Sequence, residues 1–502
     1  MKKIIIDKNP WQTRIAIVHD NTLQNVYFSA HAQQTLERSF FKGVVTKILP
    51  GIQTAFVDIG QEKAGFLHIS EVDRELAIAK MSGSFSLDDE TPPVKPARTE
   101  QPNIQKIFKE GESILVQVSK EPIYEKGAKL STCFTLPGRF IVLMPNIPRI
   151  GVSKKIESRE ERQRLKELVR SHLPEGMGAI IRTTCEDQPA KYISKDINFL
   201  VETWNEIQKK FAAAKPTEKI YEDLELTLQV VRDNLDDDVE AVITNDKDNQ
   251  HEIYKFIKVS APEYTHKVSL YEGQASLFDH FGIEKQIEQT LSKRVELKSG
   301  GSLIIESTEA MTVIDVNTGK FIGKSNLEET ILKTNLEAAQ EVVRQLRLRN
   351  IGGLIVIDFI DMASPANRHK LFTFFGKTLR EQDKFQSVVL KVSEFGIVQM
   401  TRKRSGLTLL QELTDDCPTC TGLGYVKSLQ TECYGILRAM KQYLTTHTHN
   451  KPFLLMINSD IFTYLTNIEY DSILQLEKTT KSKIEIESKK DFKVNQYKIE
   501  KK

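Results

Sequence analysis

Two aspartates stand where a carboxylate is costly: Asp315 closes the apolar run TVID, and Asp358 sits inside GLIVIDFI. An ionised carboxylate among β-branched neighbours needs a compensating charge. A divalent cation compensates well. Hard oxygen ligands suit Mg2+, which typically takes one or two protein carboxylates and keeps waters and substrate phosphate. Adjacent strands ending at one sheet edge would bring the pair together. Strand alternation aims Asn317, two residues beyond Asp315, the same way, so its carboxamide could hydrogen-bond the carboxylate or a scissile phosphate. The competing reading pairs each aspartate with an arginine or lets it cap a loop. Two such aspartates, an asparagine and the basic helix end RQLRLR favour the metal. The sequence shows no nucleophilic Ser, Cys or His arrangement, and metal-assisted hydrolysis needs none.

A second constellation is CPTCTGLG, in which Cys417 and Cys420 are separated by a proline and a threonine. Thiolates so spaced can grip one Zn2+ at ~2.3 Å in a turn. One pair is half a tetrahedral site, no second pair exists, and Cys433 alone cannot complete it. That leaves a redox dithiol or a zinc shared between two chains. A redox motif belongs near a thioredoxin-like strand-to-helix junction, whereas Gly422 and Gly424 suggest a knuckle turn. With Cys133 and Cys185 the chain has five cysteines, too few for a disulfide framework in 502 residues.

A third is aromatic and basic. Phe56 and Phe66 lie on short strands near Lys42, Lys47 and Lys63. Aromatic faces stack on unpaired bases, at ~1–3 kcal/mol each, while lysines follow the phosphates. The competing reading puts the phenylalanines in a barrel core. Overall charge does not decide, because 70 basic and 68 acidic residues leave only +2, and placement matters more than balance. The start, MKKIIID, has too short an apolar run for a signal peptide, and no stretch approaches the roughly 18 apolar residues of a membrane span. A cytoplasmic protein with no membrane span is expected.

The elements that must position these residues follow from pattern. KKIIID, TRIAIVHD and TLQNVYFSA read as strands. Residues 39–130 hold short strands broken by Gly51, Gly60 and Gly65, the pattern of a small OB-type barrel, with 82–103 as an inserted loop rich in Pro, Ser and acids. Between 131 and 215, LSTCFTLPGRFIVLMP reads as two strands meeting at Pro137-Gly138, and MGAIIRTT as a buried strand. ESREERQRLKELVRSHL and NFLVETWNEIQKKFAAA read as helices. GSLIIES and MTVIDVN form a hairpin, and a helix runs from about Leu327 to Arg349 with Ser325 and Asn326 as cap candidates. GLIVIDFIDM, apolar on both faces, belongs inside an α/β layer. The tail is helical over 429–446, then strand-like and lysine-rich. So long a chain implies several domains.

TVIDVNTG, EETILKTNLEAAQEVVRQLRLRNIGGLIVIDFIDM and CPTCTGLG together resemble the catalytic half of the ribonuclease E/G family. The resemblance covers roughly residues 1–425, strongest at 300–362 and 415–424. It implies an α+β multidomain fold. An RNase H-like domain (1–38 and 225–290) would be interrupted by an OB-fold of S1 type (39–130) and a 5′-sensor region (131–224). A DNase I-like catalytic domain (291–412), a zinc link (413–425) and a small C-terminal domain (426–502) would follow. It implies that Asp315 and Asp358 hold Mg2+, with Asn317 at the motif's asparagine and Asp361 secondary. Cys417 and Cys420 would hold a structural Zn2+ joining two protomers into a dimer or tetramer. Phe56, Phe66 and Lys126 would bind RNA on the barrel, while Gly138, Val142, Arg182 and Thr183 would sense a 5′-monophosphate. In that last pocket the chain departs from the family pattern. TCEDQPA brings two acids after Arg182-Thr183, and Lys154 stands where arginine is common.

The implied activity is Mg2+-dependent cleavage of single-stranded RNA to 5′-phosphate and 3′-hydroxyl ends, acting on rRNA and tRNA precursors and on mRNA. The short ribonuclease G type fits best, since no long Pro- and Arg-rich tail follows the catalytic half. Two other classes compete. A non-catalytic RNA-binding scaffold in ribosomal RNA maturation would be marked by loss of either aspartate, and both are present. A zinc-dependent redox protein would explain only the cysteine turn.

Overall fold

The structure, a computed structural model, describes residues 1–30, 36–72, 85–87, 103–122, 127–318, 327–404, 406–447 and 452–501. It divides into two compact units, Met1–Glu412 and Leu413–Lys502, both mixed α/β. Among the described residues no helix is long and apolar enough to cross a membrane.

The first unit opens with the three expected strands, Lys2–Lys8, Gln12–His19 and Thr22–Ala30, as an antiparallel meander. Beyond Lys2–Lys8 the same sheet continues with Val239–Thr244 and Val268–Leu270 in parallel, so Lys2 pairs with Val239. Ile4, Ile6, Ile15 and Ile17 bury against Val231 and Ile253 of the helices Leu226–Asn234 and Lys247–Ser260.

Inserted in that sheet's sequence is a small five-stranded barrel of OB-like form. Its order is Phe40–Leu49, Thr54–Asp58, Gly65–His68, Lys129–Ser131 and Ser113–Lys120, and the last strand closes on the first. Val45, Ala55, Val57, Leu67, Val116 and Leu130 fill it. Lys219–Tyr221 also pairs with Phe40–Leu49, although its sequence position groups it with the region after the barrel.

The 82–103 stretch departs from expectation. Phe85–Leu87 is a strand rather than loop, added antiparallel to Ile150–Ser153 at the edge of the next sheet. An unpaired strand edge offers backbone groups that a short segment can satisfy, a pull that composition does not reveal. The residues of that stretch on either side, up to 102, lie outside those described. The receiving sheet contains Leu136–Pro137, Ile141–Met144, Gly178–Ile181 and Ile150–Ser153. It packs against helices Arg159–His172 and Ala190–Ala213. The second helix starts well before Asn198, because Ile193 and Ile197 already face the core.

The expected hairpin, Ser302–Ser307 with Met311–Asn317, lies in a six-stranded sheet. A helix, Leu327–Leu348, carries the chain from Met311–Asn317 to the parallel strand Gly353–Asp358, and Ile397–Arg402 follows antiparallel. The cap candidates Ser325 and Asn326 fall outside the described residues. One expectation fails here. The strand Gly353–Asp358 is not enclosed on both faces. Ile355 and Ile357 pack with Ile314, Val398 and Met400 under Leu327–Leu348 and Pro365–Gln382. The opposite face is open, leaving Leu354 41% and Val313 36% exposed. An apolar run reads the same whether one face is covered or two.

In the second unit the helix Leu429–Thr446 lies where the pattern put it. Phe453–Asn458 is flanked by Ile484–Lys489 in parallel and Tyr497–Lys501 antiparallel. Between the first two strands stand two helices, Ser459–Asn467 and Tyr470–Thr480, in what had read as strand. The Asn458 side chain caps the first by accepting from the Asp460 N–H at 2.8 Å.

Candidate functional site

The register of the parallel pair sets Asp315 beside Asp358 and Val313 beside Val356, all on the open face. Neighbouring strands run about 4.8 Å apart, so one cation can reach both carboxylates. Asn317 lies on the same face, and its Nδ2 donates to Asp315 Oδ2 at 2.6 Å. Partial desolvation, then the negative charges of Asp315 and Asp361, push the Asp358 carboxyl above its ordinary range. The arginine pairing considered for these aspartates is absent among the described residues.

Hard oxygen donors, crowded negative charge and an open approach suit Mg2+ with water and phosphate in its remaining positions. Among the described residues no cluster of three or more His, Cys, Asp or Glu converges on one point. An ion here would therefore rest on the two carboxylates. Asp358 remains exposed enough for a cation to approach it, and the neighbouring negative charges add to the desolvation that a cation would offset.

Cys417 is exposed and Cys420 half-buried in a turn where the Thr421 N–H donates to Cys417 O at 2.8 Å and the Leu423 N–H to Cys420 O at 3.0 Å. Gly422 (φ +86°) and Gly424 (φ +79°) supply the left-handed backbone this knuckle requires. The N–H groups of Cys420 and Thr419, aimed at the Cys417 sulfur, hold its thiol below the usual range. Two thiols converging from one turn fit half of a zinc site. Cys433 is fully buried among Ile436, Leu455 and Ile457 and is no third ligand.

On the barrel, Phe56 and Phe66 face each other across the antiparallel pair Thr54–Asp58 and Gly65–His68. Both are half-buried, while Ala55, Val57 and Leu67 alternate into the core. The rings therefore stand on the outer face, not in the core. Lys47, opposite Phe56, and Lys63 are exposed. Lys42 is engaged elsewhere: its Nζ donates to Phe211 O and Ala214 O at the end of the helix Ala190–Ala213. Lys126 lies outside the described residues.

In the region read as the 5′-sensor, Arg182 Nη1 donates to Gly138 O at 2.6 Å and to Asp233 Oδ1 at 2.8 Å. Gly138 is required sterically, because a Cβ there would lie 2.4 Å from the Asp196 carboxylate. Asp196 accepts the N–H groups of Arg139, Phe140 and Ile141, and burial nonetheless raises its pKa. Val142 packs with Cys133, Met144, Ile147 and Ile180. Thr183 is exposed next to Arg182. Gly138 and Arg182 are thus in contact, and the arginine already has a carboxylate partner.

A profile of the Ribonuclease E/G family matches residues 135–405, more than half of the chain. Ribonuclease G of Haemophilus influenzae is 36% identical over 498 residues, covering 99% of both chains. Ribonuclease G of Escherichia coli K12 is 35% identical over 477 residues, 95% of this chain and 94% of the relative. The chain belongs to the ribonuclease E/G family. Ribonuclease E of Escherichia coli K12 is 36% identical over 447 residues, 88% of this chain but 40% of the relative. Near-complete coverage of the ribonuclease G relatives puts this ribonuclease E/G protein with the ribonuclease G type.

A second profile, the RNase E/G, Thioredoxin-like domain, matches residues 416–502, where sequence alone suggested only a small C-terminal domain. Cys417 and Cys420 precede that unit's first helix, and none of its described strands leads into them. Sequence reasoning also missed Asp233, the partner of Arg182, and three residues that hold the loop after Asp358: Glu328, Asn335 and Gly396. Only Asn335 carried a signal, as a polar residue on the apolar stripe of its helix.

Proposed function

We propose that this chain hydrolyses single-stranded RNA with Mg2+, leaving 5′-phosphate and 3′-hydroxyl ends. That it is an endoribonuclease of the ribonuclease E/G type follows from its family and its ribonuclease G relatives. The observation that carries the metal reading is the pairing of Asp315 with Asp358 on adjacent parallel strands, with no described cation between them. These two carboxylates hold the ion, and Asn317 fixes the orientation of Asp315 through its 2.6 Å hydrogen bond. Mg2+ held there supplies activation of the attacking water and neutralisation of charge growing on the phosphate. Phe56 and Phe66 stack on unpaired bases while Lys47 and Lys126 follow the backbone. Gly138, Val142, Arg182 and Thr183 form the 5′-phosphate pocket, where a guanidinium fork and a hydroxyl suit a terminal phosphate.

The strand order supports the finer architecture: an RNase H-like domain from two segments, an inserted S1-type barrel and sensor region, and a DNase I-like catalytic domain. Cys417 and Cys420 form half of a Zn2+ site that a second protomer completes, so the chain works as a dimer or tetramer. Its substrates are rRNA and tRNA precursors and mRNA, in the cytoplasm. The test is cleavage of matched single-stranded RNAs carrying 5′-monophosphate, triphosphate or hydroxyl ends, with and without Mg2+, beside Asp315→Asn and Asp358→Asn. Metal-dependent cutting lost in both variants is expected. Binding without cutting under every condition would overturn the reading in favour of a scaffold.

A further inference from the structure

Asn335 is fully buried on the apolar side of the helix Leu327–Leu348, among the cluster that includes Ala338, Ala339 and Val342. A carboxamide there is costly unless both its ends are satisfied. Both are, by a single residue. Nδ2 donates to Ile360 O at 2.8 Å, and Oδ1 accepts from the Ile360 N–H at 3.1 Å. Ile360 stands between Asp358 and Asp361.

The same loop is held at three other points. Phe359 and Met362 are buried, with Phe359 edge-on to Phe375. Glu328, on the same helix, accepts from the Ser364 N–H at 2.9 Å and from Asn367 Nδ2 at 3.2 Å. Gly396 (φ +76°) approaches so closely that a Cβ would lie 2.6 Å from Phe359 O. This restraint has a reason in charge. Asp315, Asp358 and Asp361 repel one another, and Asp358 is the last residue of its strand, so slack in the loop it leads into would let its carboxylate turn away from Asp315. Rigid support from a neighbouring helix holds such groups together beforehand.

We propose that Asn335 is a positioning residue: its two-point grip on the Ile360 backbone keeps Asp358 beside Asp315, ready for a divalent cation. This rests on the metal reading of those two aspartates. The full chain, wild type and Asn335→Ala, is titrated with Mn2+ by electron paramagnetic resonance, and RNA cleavage is followed against Mg2+ concentration. Val342→Ala, which trims the same buried cluster without removing a hydrogen bond to Ile360, controls for general loosening, and Asp358→Asn controls for the site itself.

Asn335→Ala is expected to weaken Mn2+ binding by about 10–100-fold, as loss of groups supporting a metal ligand typically does, and to raise the half-saturating Mg2+ by a similar factor. KM for RNA at saturating Mg2+ stays within about twofold, and Val342→Ala leaves Mn2+ binding within about twofold. Amide exchange at 359–361 should speed up in Asn335→Ala alone. Wild-type Mn2+ affinity in Asn335→Ala, or equal weakening in Val342→Ala, overturns the proposal. If Asp358→Asn still binds Mn2+ and cuts RNA, the metal reading fails instead. Should Asn335→Ala not fold, Gly396→Ala displaces the adjoining backbone at Phe359. It must then weaken Mn2+ binding likewise, and normal binding there overturns the clamp.

Discussion

Two charged clusters of the first unit handle charge in opposite ways. At the edge of the Asp315–Asp358 sheet, like charges stand side by side, and the Asp358 carboxyl is raised by partial desolvation and by Asp315 and Asp361. Around Arg182, opposite charges are already in contact. Its guanidinium sits 2.8 Å from Asp233, and Arg232 reaches the same carboxylate oxygen at 3.1 Å. The first cluster carries negative charge that no described cation balances. The second already contains an anion of its own, so a phosphate arriving at Arg182 must compete with the Asp233 carboxylate. A cluster of like charge therefore points to a ligand more strongly than an arginine in a pocket does.

The largest test of that contrast is at the first cluster. Asp315→Asn or Asp358→Asn, which removes charge that no described residue balances, should lower kcat by ~10³-fold or more, as loss of several kcal/mol of metal-borne stabilisation implies. Single-turnover cleavage at saturating RNA checks this, and a loss under tenfold would mean that the crowding is incidental. Next comes the cysteine knuckle, which supplies two of the four ligands of the proposed zinc site. Cys417→Ser or zinc chelation should raise the protomer dissociation constant by at least ~10²-fold, since metal binding contributes many kcal/mol. Sedimentation velocity would show it, and an unchanged oligomer without zinc would make the turn self-sufficient. Phe56→Ala and Phe66→Ala should each raise KM by ~10-fold through lost stacking of ~1–3 kcal/mol while sparing kcat. A fall in melting temperature in place of a KM change would return the rings to a structural role.

The contrast also tracks what could be read from sequence. The shared placement of Asp315, Asn317 and Asp358 was legible because strand alternation is local and the carboxylates break apolar runs. The facing of Phe56 and Phe66 depends on the register of one hairpin, and the short glycine-broken strands hinted at it. What was not legible is pairing across distance. Asp233 lies 51 residues from Arg182 and sits in a helix with nothing to mark its partner. Lys42 looked like a phosphate contact beside the barrel aromatics, but it holds carbonyls at the end of a helix 169 and 172 residues away. The open face of the Asp358 strand was invisible for a different reason, since cover is a property of neighbouring elements and not of the run itself. Phe85–Leu87 was missed likewise, because the strand edge that recruits it lies elsewhere in the chain.

The smallest effect, and the most direct test of the Arg182 cluster, comes from Asp233→Asn. The substitution keeps the size of the side chain and removes its charge, leaving Arg182 freer to meet a phosphate. The ratio of cleavage rates for 5′-monophosphate over 5′-hydroxyl RNA should rise about fivefold, the equivalent of roughly 1 kcal/mol of ion pairing released. The same pair sets a pH signature. Burial disfavours the ionised Asp233, but the charges and hydrogen bonds of Arg182 and Arg232 together outweigh it and hold the carboxyl below its usual range. A carboxyl lowered in the folded state adds stability that is present above its unfolded value, ~3.9, and is lost as pH falls through the folded value. Wild type should therefore be more stable than Asp233→Asn at pH 7, and the gap should narrow as the pH falls below about 4. Thermal unfolding of both proteins across that range reads it. A constant gap would mean that the contact holds by shape and hydrogen bonding alone. An unchanged end preference would then mean that Asp233 does not compete with phosphate for Arg182.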